Sequence, residues 1–280
     1  MTNDSFRWRT ILEVAVISTV IYVLLGTPGL PASFTGKSSG DNNIPISRAK
    51  TESLVYPDKN LSCPNHNVDI HIFSTSPLII YIDGFVSESE AEHLVQASSD
   101  KWRVSTVFNQ GVESTNESVR KSEKALIDRD EIVQCIEQRA LSIQGWPDET
   151  FIERLWTQRY NVTGHYAHHY DWATSSKQSR RVSTFMVYLS ANCEGGGTNF
   201  PRLQMSKDPR WCEFIECDGA LDAEGVTFNA KRGNAVFWTN FDAEGRGYKE
   251  TIHAGMPVTN GTKVGLNIWT WYQAGHVAPE

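Results

Sequence analysis

The stretch RYNVTGHYAHHYDW, residues 159–172, carries His169 and Asp171 two positions apart. In an extended strand, residues i and i+2 point to the same face, so an imidazole and a carboxylate at this spacing reach one metal ion. Two ligands do not complete a site. The third expected ligand is His253 in TIHAG, 84 residues downstream, followed ten residues later by Lys263 in GTKVGLNIW. Two histidines and one carboxylate form the facial triad of non-haem Fe(II) oxygenases, which leaves coordination positions open for chemistry. A site drawn from segments this far apart requires a fold that brings distant strands face to face.

Strands that can do so are legible. VDIHIF, PLIIYIDGF, RVSTVF, FIERLWTQRY, VSTFMVYLS, NAVFWTNF and KVGLNIWTWYQ are rich in β-branched and aromatic residues and bounded by turn residues. Ser87 and Glu90 form a capping box ahead of Ala91, Leu94 and Val95. Residues 130–143 place Ile132, Val133, Ile136, Ala140 and Ile143 at helical spacing. The expectation is a mainly β fold with supporting helices (α+β), built on an antiparallel double-stranded β-helix, or jelly-roll. Residues 103–125 continue from RVSTVF as polar chain around Gly111 and read as an exposed loop, a candidate lid.

The front of the chain has a different character. Arg7 and Arg9 precede an apolar run over 11–25, which Gly26, Thr27 and Pro28 end. About 20 apolar residues span a bilayer, so the run reads as a short membrane anchor over 11–26, with a cleaved signal segment as the alternative. The organisation expected is a cytosolic tail (1–10), the anchor, a flexible stem (27–66) and a catalytic domain (67–280). Glycosylation triplets at Asn60, Asn116 and Asn260 agree with a translocated domain. The fourth, at Asn161, falls inside the expected metal-site strand and reads as unmodified. The setting expected is the endoplasmic reticulum or another secretory-pathway membrane, single-pass, with a lumenal catalytic domain.

Five cysteines, an odd number, show no zinc-type pairing. Cys212 and Cys217 are expected to bridge each other or Cys193 in an oxidising lumen, while Cys135 reads equally as a buried free thiol. With 26 basic and 33 acidic residues and no basic run, the chain is not expected to bind nucleic acid.

The metal-site stretch, RRVSTFMVYL, EGGGTNFP, GNAVFW, and TIHAG with the downstream lysine together resemble the prolyl 4-hydroxylase family of Fe(II)- and 2-oxoglutarate-dependent dioxygenases, over roughly residues 75–274. The resemblance implies a jelly-roll, with His169, Asp171 and His253 as iron ligands and Lys263 pairing with the far carboxylate of 2-oxoglutarate. It implies O2 and ascorbate as further requirements. It also places Tyr160 and Thr184 in the cosubstrate pocket. The reaction implied is hydroxylation of an unactivated C–H bond as 2-oxoglutarate is decarboxylated to succinate. Prolyl residues of a secretory peptide or protein are the first expected substrate. A tailoring hydroxylase of a small peptide or metabolite is the alternative, and a catalytically silent, membrane-tethered binding module is the alternative outside enzymes. Thr163, Val264 and the segment 203–228 depart from the family pattern and leave the substrate open.

Alternation along the strand sets His168 on the face opposite His169, and gives His165 the parity of the metal pair. His165 is therefore assigned to the substrate entrance; Trp172 and Trp238 are expected to flank that entrance as aromatic residues, and EGGGTNFP reads as a tight turn beside the site.

Overall fold

A computed structural model describes residues 48–58, 60–109, 112–172, 176–219 and 223–277. The tail and anchor expected over 1–26 lie outside these residues. Among the described residues no helix is long and apolar enough to cross a membrane.

Residues 48–55, grouped with the stem by composition, carry regular structure. Helix α1 (Arg48–Glu52) leads into strand β1 (Leu54–Val55), and then come β2 (Asp69–Thr75) and β3 (Leu78–Asp83). Helix α2 (Glu88–Ala97) begins at the expected capping box: the Ser87 hydroxyl accepts from the Glu90 N–H, and the Glu90 carboxylate accepts from the Ser87 N–H. The region 103–125 is more ordered than its composition suggests. It holds β4 (Arg103–Val104), β5 (Val107–Asn109), β6 (Val112–Ser114), β7 (Arg120–Lys121) and the start of β8 (Glu123–Leu126). Helix α3 (Glu131–Ile143) starts where Asp130 accepts a hydrogen bond from the Val133 N–H.

The remaining strands are β9 (Thr150–Glu153), β10 (Trp156–Tyr160), β11 (His165–His169), β12 (Ser179–Gly195), β13 (Thr198–Phe200), β14 (Val226–Phe228), β15 (Ala235–Thr239), β16 (His253–Gly255) and β17 (Val258–Gln273). The main sheet runs β2-β3-β15-β12-β17-β10-β8-β4, with β9 pairing both β17 and β1. A second sheet runs β14-β13-β16-β11-β7, and β5 pairs only with β6. All the pairings are antiparallel. This is the expected jelly-roll.

Alternation divides the core in two. Ile80 and Ile82 on β3, Phe185, Val187 and Leu189 on β12, Phe237 on β15 and Leu266 and Ile268 on β17 pack with Leu94, Val133 and Ile136 of the helices. The intervening residues Tyr81, Met186, Tyr188, Val236 and Trp238 pack against Phe200, Val226 and Phe228 of the second sheet. One side of the main sheet therefore faces helices, and the other faces the second sheet and the site.

The cysteine reading is resolved among the described residues. Cys212 bridges Cys217, as one alternative had it. Cys135 is not a free thiol but is bonded to Cys63, and Cys193 is the free one. Asn161 lies one residue beyond β10, exposed, where its side-chain oxygen accepts from the Thr262 hydroxyl.

Candidate active site

Strands β11 and β16 lie side by side with His169 directly opposite His253. Asp171 follows two residues after β11 ends. His169 Nε2 stands 3.6 Å from Asp171 Oδ1, and His253 Nε2 stands 3.9 Å from Oδ2. The three donor atoms lie within 4.8 Å of one another, so a single ion fits among them. Backbone carbonyls fix both tautomers. His169 Nδ1 donates to the Ala167 carbonyl at 2.9 Å and His253 Nδ1 to that of Thr251 at 3.0 Å. Each Nε2 lone pair is thereby left facing the centre, as a metal ligand requires.

The electrostatics suit a cation. Burial lowers the His253 pKa to about 4, with the neighbouring His169 adding to the effect, so the ring is neutral at neutral pH. Burial alone would raise Asp171. The flanking His169 and His253 rings and the Arg181 guanidinium outweigh it and hold the carboxyl well below the ordinary range. The Asp171 carboxylate also accepts from the Thr184 hydroxyl at 2.8 Å and from Trp269 Nε1 at 3.1 Å. Thr184, expected in the cosubstrate pocket, thus steadies a metal ligand instead. Tyr166 stacks on His169 at 3.7 Å between ring centroids, with the Arg120 guanidinium over its ring.

Lys263 lies on the face of β17 turned away from the helices. It is 2% exposed, and its Nζ donates to the Gly196 carbonyl at 2.6 Å. The rings of Tyr160 and Tyr188 stand 5.3 and 5.1 Å from it. Among the described residues no carboxylate pairs with this ammonium, and burial pushes its pKa down to about 8. An uncompensated buried charge is strongly unfavourable, so the position is suited to an anionic ligand. EGGGTNFP forms the expected turn beside it. Gly195 and Gly196 both have positive φ, and a side chain at Gly195 would meet the Pro257 carbonyl at 2.4 Å.

One small cavity joins the two ends, lined by Tyr160, Tyr166, His169, Met186, Thr198, Trp238, His253, Lys263 and Asn267. Tyr160 lines this cavity beside Lys263. Trp238 is not at an entrance: it is 1% exposed, 4.7 Å from the His253 ring, and its buried Nε1–H has no protein partner. Its parity on β15 turns it inward. Trp172 is half-buried, donating to the Tyr248 carbonyl and the Thr251 hydroxyl, while His165 packs on the carbonyls of Thr163 and Ser118. His168 points away from the metal ligands to Asn199, as alternation requires.

The profile of the 2OG-Fe(II) oxygenase superfamily matches residues 155–271, the segment that holds all four of these site residues. Prolyl 4-hydroxylase 5 of Arabidopsis thaliana is 28% identical over 209 residues, 71% of this chain and 70% of that protein. The viral collagen prolyl hydroxylase of Paramecium bursaria Chlorella virus 1, solved as its 2OG complex, superposes with a TM-score of 0.52 at 27% identity, over 69% of this chain and 95% of that one. The chain belongs to the prolyl 4-hydroxylase family. Within the family, the mouse prolyl 4-hydroxylase subunit alpha-3 is 30% identical over 203 residues, and the match spans 33% of its length.

As a member of this family the protein is a 2-oxoglutarate-dependent dioxygenase that uses Fe(II), 2-oxoglutarate and O2. Its residues fit both groups. Two imidazoles and one carboxylate converge for the metal. The unpaired Lys263 ammonium and the orphaned Trp238 N–H line the cavity a dicarboxylate would enter. Sequence reasoning missed Arg181, Trp269, Met186, Thr198 and Asn267. Parity with Lys263 on β17 was the available signal for Asn267.

Proposed function

We propose that the protein hydroxylates prolyl residues of a peptide or protein in the secretory pathway. The observation that carries this reading is one cavity lined by two of the three converging metal ligands, His169 and His253, and by the buried Lys263, which no carboxylate among the described residues pairs with. The iron and 2-oxoglutarate together supply oxidation by O2, in which a substrate C–H becomes C–OH and 2-oxoglutarate becomes succinate and CO2. His169, Asp171 and His253 hold the metal. Lys263 binds the remote carboxylate by charge-assisted hydrogen bonding, and Trp238 and Met186 close the cavity wall against water.

The names of the relatives support a prolyl substrate. The β5–β6 hairpin, joined to neither large sheet, is the proposed lid. Two disulfides and exposed triplets at Asn60, Asn116 and Asn260 support an oxidising lumen, with the apolar run over 11–25 as anchor or signal. Endoglycosidase shifts and carbonate extraction of the expressed protein test the setting.

The test of function is succinate release by the purified protein with Fe(II) and ascorbate, with and without a proline-rich peptide. Turnover is expected to rise with peptide, to add one oxygen to a proline, and to vanish in His169→Ala. Turnover that no prolyl peptide stimulates would redirect the substrate to another class.

A further inference from the structure

Helix α1, at the front of the described chain, reaches the metal centre through a line of alternating charges. Lys50 Nζ lies 2.6 Å from Glu153 Oε2 and 3.8 Å above the centre of the Trp271 ring. Glu153 also takes a two-pronged contact from Arg181, with Nε at 2.8 Å from Oε1 and a terminal nitrogen at 3.1 Å from Oε2. The other terminal nitrogen of Arg181 donates to the Asp171 carbonyl at 3.2 Å and stands 3.7 Å from its carboxylate. The guanidinium carbon lies 4.0 Å from the centre of the Trp269 ring, the same indole that donates to Asp171.

Exposed ion pairs contribute little, but this one is enclosed: the Lys50 and Glu153 side chains are 21% and 11% exposed. The backbone fastens the helix in place. Leu54 and Val55 of β1 pair with Glu153 and Ile152 of β9, and the Arg154 N–H donates to the Ser53 carbonyl. Lys50 and Arg181 share one oxygen of Glu153. Without the lysine, the full charge of Glu153 acts on the guanidinium and draws it from Asp171.

We infer that Lys50 is a positioning residue of the metal centre, acting through Glu153 to hold Arg181 against Asp171. The inference rests on the oxygenase reading, and it makes α1 part of the catalytic unit.

The test uses the full chain and Co(II) as an oxygen-stable probe, followed by its visible spectrum. Partners one layer behind metal ligands change affinity about 10- to 100-fold, and a residue one layer further back is expected to change it about three- to tenfold. Lys50→Met, which keeps the packing on Trp271, should raise the Co(II) Kd by that factor and shift the spectrum. Lys50→Arg should stay within about twofold of the parent. In a Glu153→Gln background, which also relieves the unpaired acid if the single variant folds poorly, Lys50→Met should have no further effect. Parental affinity in Lys50→Met, loss in Lys50→Arg equal to that in Lys50→Met, or an undiminished Lys50 effect beside Glu153→Gln overturns the inference. If the parent itself binds no Co(II) at this site, it is the oxygenase reading that fails.

Discussion

At Lys263 stability and binding pull in opposite directions. Its pKa of about 8 lies below the ordinary 10.5. Between those values the unfolded chain holds more protons here than the folded one, so the cosubstrate-free protein gains stability as pH rises through that window. Binding has the opposite sign, because a carboxylate needs the ammonium. Affinity for 2-oxoglutarate is expected to fall as pH rises above 8, with proton uptake on binding. Calorimetry in buffers of different ionisation enthalpy measures both. Lys263→Met should raise the KM for 2-oxoglutarate at least about tenfold, roughly 1.4 kcal/mol, while leaving the empty protein as stable or more so. A drop in melting temperature would show that the lysine contributes more to the fold than its unpaired charge allows. His169 and Asp171 were legible from their two-residue spacing, with His253 expected as the third ligand, whereas the role of Lys263 came from the family resemblance. Thr184 and Trp238 were misassigned because their roles depend on which sheet face is turned inward, and composition does not carry that.

At the level of the element, β12 shows how one strand serves two purposes. Phe185 faces the helices and Met186 faces the cavity. Phe185→Ala is expected to lower stability by about 3–5 kcal/mol with little change in the KM for 2-oxoglutarate. Met186→Ala should reverse that emphasis, with a smaller loss of stability and a changed KM; denaturant melts beside steady-state kinetics distinguish them. This alternation was readable. The irregularity between Arg181 and Ser183 was not: there the register on β17 shifts, and by that shift both Arg181 and Thr184 reach Asp171 although an odd number of positions separates them. Strict period-two reading places them on opposite faces, so the Arg181 contact lay hidden.

On the scale of the whole molecule, the Cys63–Cys135 bond ties the segment ahead of β2 to α3 across 72 residues. Cys63→Ser is expected to lower unfolding free energy by about 2–4 kcal/mol. Chemical denaturation with and without reductant checks it, and a parent protein insensitive to reductant would contradict the assignment. Sequence parity left both partners unassigned, because spacing along the chain carries no information on which distant segments meet. The jelly-roll itself was legible from its strands. Its order in space was not, because β17 pairs with β9, β10 and β12, all far earlier in the chain.

That arrangement has a temporal consequence. As the chain emerges from the ribosome, β12 and β10 wait as open edges on either side of an empty lane until residues 258–273 arrive to fill it. Lys263 is on that strand, so the cavity it lines forms only once β17 is in place. Until then the nascent protein exposes unpaired backbone edges of the kind that chaperones shield and that seed aggregation.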